Sequence, residues 1–269
     1  MNDYIAYLRT RRVAIVGAGI SNLPLLKLLV TEGVDVSVRD KAPIELDAPR
    51  SVIGDGYLDC SGEDVVFRSP GVRPWELTLS PGATLTSEME AFFELCPCPI
   101  IAVTGSDGKT TTTTLIAELL RADGLTVHLG GNLGRPLLTE IPNMRKSDYA
   151  VVELSSFQLM TMRRSPHIAV ITNVSPNHLD WHRSYDEYVA AKCNIFLWQR
   201  PGDRLIYGNA AVQSGVQPAK MLGEHNRVNF ATAVEATRGL VSDSAIQSVA
   251  ECFVGVEHRL EPVRELRGV

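Results

Sequence analysis

The sequence lacks any apolar run near the ~20 residues that a membrane-spanning helix needs, and Met1 to Arg12 holds no apolar signal-peptide core. The expectation is a cytoplasmic protein without a membrane partner. It lacks an excess of positive charge too: 26 Lys and Arg stand against 31 Asp and Glu, for a net charge of -5 with no basic run. That balance argues against nucleic acid as a partner. Cysteine is scarce, and Cys60, Cys96, Cys98, Cys193 and Cys252 are scattered and odd in number, as reduced thiols are. Only Cys96-Pro97-Cys98 forms a close pair, with no second pair to complete a zinc site. Short-period repeats and low-complexity segments are missing. What is there is an ordinary globular composition, 45% apolar over 269 residues, a length that suits about two domains.

The stretch Ile100-Ile101-Ala102-Val103-Thr104-Gly105-Ser106-Asp107-Gly108-Lys109-Thr110 organises the chain. An apolar run that reads as a buried parallel strand meets a glycine-bearing turn. A helical pattern follows over 111–124, with Leu115, Ile116, Leu119 and Leu120 at helical spacing and Gly124 as the stop. Backbone N–H groups and the helix dipole at such a turn favour phosphate. Gly105 and Gly108 let the backbone approach, Lys109 neutralises outer phosphates, and the Thr110 hydroxyl can ligate Mg²⁺. The full phosphate-loop pattern wants glycine at 103, where valine stands. The bland alternative is a tight turn with a solvated lysine.

Earlier in the chain, Arg12 to Val16 reads as a strand, Gly17-Ala18-Gly19 as a turn and Leu23 to Thr31 as a helix, followed by a strand over 34–38. This is the start of a Rossmann-like unit. Asn22 occupies the third glycine of a dinucleotide fingerprint, so NAD is weakly signalled, and Asp40 either holds a ribose or serves plain loop chemistry. A strand over 64–68 runs into Ser69-Pro70-Gly71, a helix spans Glu88 to Leu95, and Cys96-Pro97-Cys98-Pro99 makes a stiff junction. Strands at 125–129, 149–154, 168–173 and 204–207 alternate with helices, predicting a second, mainly parallel α/β unit. Asn209 to Leu222 reads as loop, and helices are predicted over 226–239 and 242–253.

Glu153 closes the apolar strand that starts at Tyr149, where a carboxylate either completes Mg²⁺ coordination or caps the next helix. His178 follows another strand and could ligate a metal, while His182 reads as a solvated loop residue; the pair lacks the glutamate of a zinc protease. Ser184-Tyr185-Asp186-Glu187 matches a capping box, predicting a helix over 185–199 with Lys192 on its apolar face. Either that lysine snorkels outward, or it sits in a dry pocket as a neutral amine.

Together these residues resemble the Mur ligase family, ATP-dependent enzymes that join amino acids to the peptidoglycan precursor in cell-wall biogenesis. The resemblance is carried by Thr104 to Thr111, Gly130-Gly131-Asn132-Leu133-Gly134, Glu153-Leu154-Ser155-Ser156-Phe157-Gln158-Leu159 and Asn173-Val174. It continues through His178-Leu179-Asp180, Ala190-Ala191-Lys192, Gly223-Glu224-His225-Asn226 and His258-Arg259. That family lacks the first phosphate-loop glycine, so Val103 fits. The Glu153 to Leu159 stretch is similar to the D-glutamate-adding branch rather than to folylpolyglutamate synthases.

The resemblance implies an α/β fold with a UDP-holding Rossmann-like domain over 1–95 and a phosphate-loop ATPase domain over 96–258. It also implies roles. Gly105, Ser106, Asp107, Gly108, Lys109, Thr110 and Thr111 would hold ATP phosphates, with Asn226 and Arg259 on the nucleotide. Thr110 and Glu153 would ligate one Mg²⁺, and His178 with a carbamylated Lys192 a second. Asn132 and Ser155 would contact muramoyl-alanine, while Ser21, Asn22, Lys41, Ser69 and Gly71 would hold UDP. The substrates would be UDP-N-acetylmuramoyl-L-alanine and D-glutamate, joined through an acyl phosphate by a monomer. In the family a third, C-terminal domain follows; here 259–269 would open the linker to it, and 209–222 is shorter than usual. Two other readings remain: a non-catalytic nucleotide-binding module, and a related ligase using another amino acid.

Overall fold

Two wholly parallel five-stranded sheets, joined through one helix, carry the chain. The computed structural model describes residues 1–44, 48, 50–133, 135–208, 215–221 and 223–255. Helix α1 (Asn2–Arg9) leads into β1 (Val13–Val16), α2 (Leu23–Thr31), β2 (Val36–Asp40) and β3 (Arg50–Ile53). A short pair, β4 (Asp59–Cys60) with β6 (Thr78–Leu79), brackets β5 (Val65–Arg68), and β7 (Thr84–Thr86) precedes α3 (Glu88–Leu95). The first sheet has the order β3-β2-β1-β5-β7. Strands β1 and β5 are buried throughout, as central strands covered on both faces must be, whereas edge strand β3 alternates between half-buried and exposed.

The second half contains β8 (Ile100–Thr104), α4 (Lys109–Ala122), β9 (Val127–Gly131), β10 (Tyr149–Glu153), α5 (Ser156–Leu159) and β11 (Ile168–Ile171). It ends with α6 (Tyr185–Cys193), β12 (Arg204–Tyr207), α7 (Glu224–Ala236) and α8 (Asp243–Cys252). Its order, β12-β11-β8-β10-β9, puts β8 in the middle. Strand order reverses there, and the carboxyl end of such a strand is where open α/β sheets bind ligands.

One apolar cluster crosses from sheet to sheet: Phe67, Met89 and Phe92 pack in it with Leu138, Leu154, Leu159 and Ile195. Helix α3 also makes polar joints. Glu88 Oε1 accepts from the backbone N–H groups of Leu137 (3.1 Å) and Leu138 (2.8 Å), and Glu90 Oε1 accepts from Arg163 N–H (2.8 Å). The other face of the second sheet packs Leu115, Leu119 and Phe230 of α4 and α7, with Val249 of α8.

Most predicted elements stand within two residues of their expected bounds. The helix expected over 185–199 is an exception, because α6 ends at Cys193. Asn194 there turns its side-chain amide onto the carbonyls of Leu159 and Met160, at 2.9 and 3.3 Å. The following residues form tighter turns, with Ile195 N–H donating to Lys192 O at 3.1 Å and Phe196 N–H to Cys193 O at 3.0 Å. Only half of the capping box forms. Ser184 Oγ accepts from Glu187 N–H, but the Glu187 carboxylate takes Arg183 N–H instead of the cap residue's own. Strands β3 and β7 were not expected, being short and partly polar. Gly134, 209–214, Leu222, Arg259 and the rest of 256–269 lie outside the described residues, and with them the roles expected at those positions. Among the described residues no helix is long and apolar enough to cross a membrane.

Candidate active site

The turn between β8 and α4 is boxed in on both sides. Gly105 has φ 151° and Gly108 φ 74°; a Cβ on the first would run into Thr172 Oγ1 and on the second into Asn229 Oδ1, so both positions require glycine. Bonds to the loop after β11 hold the turn. Ser106 N–H donates to Asn173 O (2.9 Å), Asp107 N–H to Asn173 Oδ1 (3.0 Å), and Ser106 Oγ to Ser175 O (2.9 Å). The Tyr188 hydroxyl of α6 lies 2.8 Å from Ser106 Oγ. Lys109 Nζ donates to Ser106 O at 2.9 Å. Helix α4 starts at Gly108 without a side-chain cap, the arrangement that leaves an N-terminus to an anion.

Three predicted residues meet beside it. Glu153, 2% exposed, accepts from Thr110 Oγ1 on Oε2 (2.8 Å) and from Asn132 Nδ2 on Oε1 (2.7 Å). Asn132 N–H also donates to Glu153 O at 2.8 Å. The helix-capping reading of Glu153 fails, because Ser155 caps α5: its Oγ accepts from Gln158 N–H while Gln158 Oε1 accepts from Ser155 N–H. A hydroxyl and a carboxylate beside a phosphate-type turn are hard oxygen donors, a set that fits Mg²⁺, which is usually held by one or two protein oxygens plus phosphates and water.

Lys192 does not snorkel. It is 2% exposed, its Nζ donates to Gly105 O at 2.7 Å and stands 4.6 Å from the Tyr188 ring centre. Burial, then the charge of Lys109, brings its pKa down to about 7, so a large share of the amine is neutral at physiological pH. His178 is exposed, with φ 53°, its ring 5.0 Å from that of Phe157. Among the described residues no three His, Cys, Asp or Glu side chains gather as a metal cluster. The Cys96 and Cys98 thiols are 3.5 Å apart and free.

His182 overturns its expectation as a solvated residue. It is buried, its Nε2 is 2.9 Å from Ser156 Oγ, and its ring stacks on Phe157 at 5.6 Å. The aromatic neighbours Phe157, Trp181 and Tyr188 pull it out of water, and that burial lowers its pKa.

At the first sheet, the loops after β1 and β5 close on each other. Ser69 N–H donates to Val16 O (2.8 Å), and a Cβ on Gly17 would touch Ser69 Cβ at 2.6 Å. Asn22 is buried and its Nδ2 donates to Gly17 O at 2.9 Å, so the residue in the third-glycine position staples the turn. Asp40 accepts from Ala18 N–H (2.8 Å) and Ala42 N–H (3.1 Å), the plain loop role of its two readings. Ser21 is half-buried, while Lys41 and Gly71 are exposed around these loops. Asn226 sits in the first turn of α7, one turn before Asn229. Sequence reasoning passed over Asn229 and Arg68, and placed Tyr188 on the Lys192 face of its helix without a role. The available signals were Asn229 at i+3 from Asn226 and an arginine closing an apolar strand.

Residues 103–216 match the family described as the Mur ligase middle domain. The chain is 42% identical to the UDP-N-acetylmuramoylalanine–D-glutamate ligase of Acetivibrio thermocellus over 327 aligned positions, covering 100% of this chain and 70% of the relative. The ligase of the same name from Clostridium tetani is 38% identical, with 100% and 70% covered. Because 327 positions exceed the 269 residues here, the first relative carries segments with no counterpart in this chain. Among solved structures, a UDP-N-acetylmuramate:L-alanyl-γ-D-glutamyl-meso-diaminopimelate ligase from Neisseria meningitidis aligns at TM-score 0.54 and 16% identity, over 88% of this chain and 98% of that one. UDP-N-acetylmuramate–alanine ligase from Thermotoga maritima aligns at TM-score 0.51 and 20% identity, over 91% and 69%. These two likenesses establish the α/β fold. Identity near two-fifths over the whole chain establishes more: the chain belongs to the Mur ligase family, among its UDP-N-acetylmuramoylalanine–D-glutamate ligases.

Proposed function

We propose that the chain is an ATP-dependent ligase that adds D-glutamate to UDP-N-acetylmuramoyl-L-alanine in cytoplasmic peptidoglycan precursor synthesis. The observation that carries this reading is the meeting of Thr110, Asn132 and Glu153 at the mouth of the glycine turn, with Lys192 buried against Gly105 O. The Rossmann-like first unit, 1–95, holds UDP on the paired loops at Ser21, Asn22, Lys41, Ser69 and Gly71. The second unit, 96–258, holds ATP on Gly105 to Thr111 and Asn226, and Arg259 joins them.

The alanyl carboxylate attacks the γ-phosphate, the β–γ bridging bond breaks, and ADP leaves. Lys109 and the α4 N-terminus neutralise charge as it spreads over the transferring phosphoryl oxygens. D-glutamate's amine then attacks the acyl phosphate carbonyl and phosphate leaves, giving the amide. Thr110 and Glu153 would hold one Mg²⁺, and His178 with a Lys192 carbamate would hold a second; ions bound there would screen phosphate charge. Asn132 and Ser155 orient the muramoyl-alanine end. A carbamate would form by addition of the neutral Lys192 amine to CO₂ with loss of one proton to solvent, and the burial that lowers the pKa of Lys192 favours that neutral amine.

The test is ADP release by the chain with Mg-ATP and UDP-N-acetylmuramoyl-L-alanine, with and without D-glutamate, and detection of the amide by mass. Glutamate-dependent ADP with product supports the ligase. Binding of both nucleotides without turnover supports a binding module instead.

A further inference from the structure

Arg68, at the carboxyl end of β5, is fully buried, 0% exposed, yet no carboxylate among the described residues bonds it. Its two terminal nitrogens face different parts of the molecule. Nη1 donates to the carbonyls of Ser69 (3.1 Å), Pro70 (3.3 Å) and Val72 (2.7 Å), gathering the turn that follows its own strand. Nη2 donates to Phe157 O (2.7 Å) and Thr161 Oγ1 (3.3 Å), in and just after α5 of the other sheet. Nε is buried with no hydrogen-bond partner among the described residues. Burial pulls the guanidinium down to about 10, so it stays cationic at neutral pH.

Taking a cation out of water without a hydrogen-bonded carboxylate is costly, even with the charge of Glu90 nearby, and Val65-Val66-Phe67 would end as well in an apolar residue if stability were all that mattered. What an apolar side chain cannot do is bond two segments at once, and a planar guanidinium fork can. The turn it gathers packs on Gly17; α5 begins three residues after Glu153.

We propose that Arg68 is a positioning residue which ties the Ser69–Val72 turn to α5, setting the separation between the UDP-holding loops and the phosphate-transfer site. This rests on the function proposed above, because only a substrate reaching across both sheets needs that separation held.

The test compares the wild-type chain with R68K and R68M by hydrogen exchange without ligand, and by affinity for UDP-N-acetylmuramoyl-L-alanine and for Mg-ATP. In R68M, exchange should accelerate together in 69–72 and 157–161, and affinity for the UDP compound should fall on the order of tenfold, as loss of charged hydrogen bonds predicts. Mg-ATP affinity should stay within about twofold. R68K, with a charge but no fork, should fall between. Acceleration in one segment alone, an equal loss of both ligands, or unchanged affinity for the UDP compound in folded R68M overturns the proposal. A wild-type chain that fails to bind the UDP compound sinks the functional reading instead, and the exchange result still decides whether the clamp exists.

Discussion

Glu153 accepts the Thr110 hydroxyl at 2.8 Å, joining the last residue of β10 to the first turn of α4. Glu153→Gln keeps an acceptor for Thr110 and removes the charge. Glutamate-dependent ADP release should then fall by about 10²- to 10³-fold, the scale of losing a stabilising charge at a transferring group. Unfolding by denaturant should change little; a variant retaining full turnover would exclude Glu153 as a metal ligand.

Lys192→Ala should abolish turnover, and added short carboxylic acids should restore part of it by supplying the missing oxygens. Full activity without additive would refute the carbamate. Restoration by amines rather than acids would make the lysine a cation in function.

Glu88 is buried against α3's junction, and burial raises its carboxyl to about 7 from 4.5, against two backbone donors that lower it. A raised carboxyl pKa means that the folded state binds more protons than the unfolded one between pH 4.5 and 7. This group's stabilisation is therefore present below pH 4.5 and lost as pH rises through 7. Glu88→Gln, neutral at every pH, should gain on the wild type across that window by on the order of 2 kcal/mol. Thermal unfolding at pH 5 and pH 8 reads the difference; a gap independent of pH would contradict it.

Gly108→Ala places a Cβ against Asn229 Oδ1 at a left-handed φ of 74°. The conformation alone costs about 1–2 kcal/mol, and Mg-ATP affinity measured by calorimetry should drop at least tenfold, as that penalty converts. Adding Asn229→Ala relieves the contact and should recover part of the affinity. No recovery would assign the loss to backbone strain alone.

Much of this was readable beforehand because it is local. An apolar run, two glycines and Lys109-Thr110 specify strand, turn and helix through backbone sterics and hydrogen-bond supply. Ser155 with Gln158, however, shows how a capping box hides when a carboxylate two residues upstream competes for the same role. His182 was misjudged for a related reason. Its burial comes from Phe157, more than twenty residues earlier, which no spacing rule connects to it.

By itself, the sequence determined the two parallel sheets, the phosphate-type turn and the membership in a ligase family, since periodicity and motif spacing act along the chain. Tertiary structure alone decided which of two states Lys192 occupies, that Glu153 faces Thr110 rather than capping α5, and that Arg68 spans both sheets. Those outcomes depend on desolvation and on partners brought in from distant segments, quantities that exist only once the chain has closed around them.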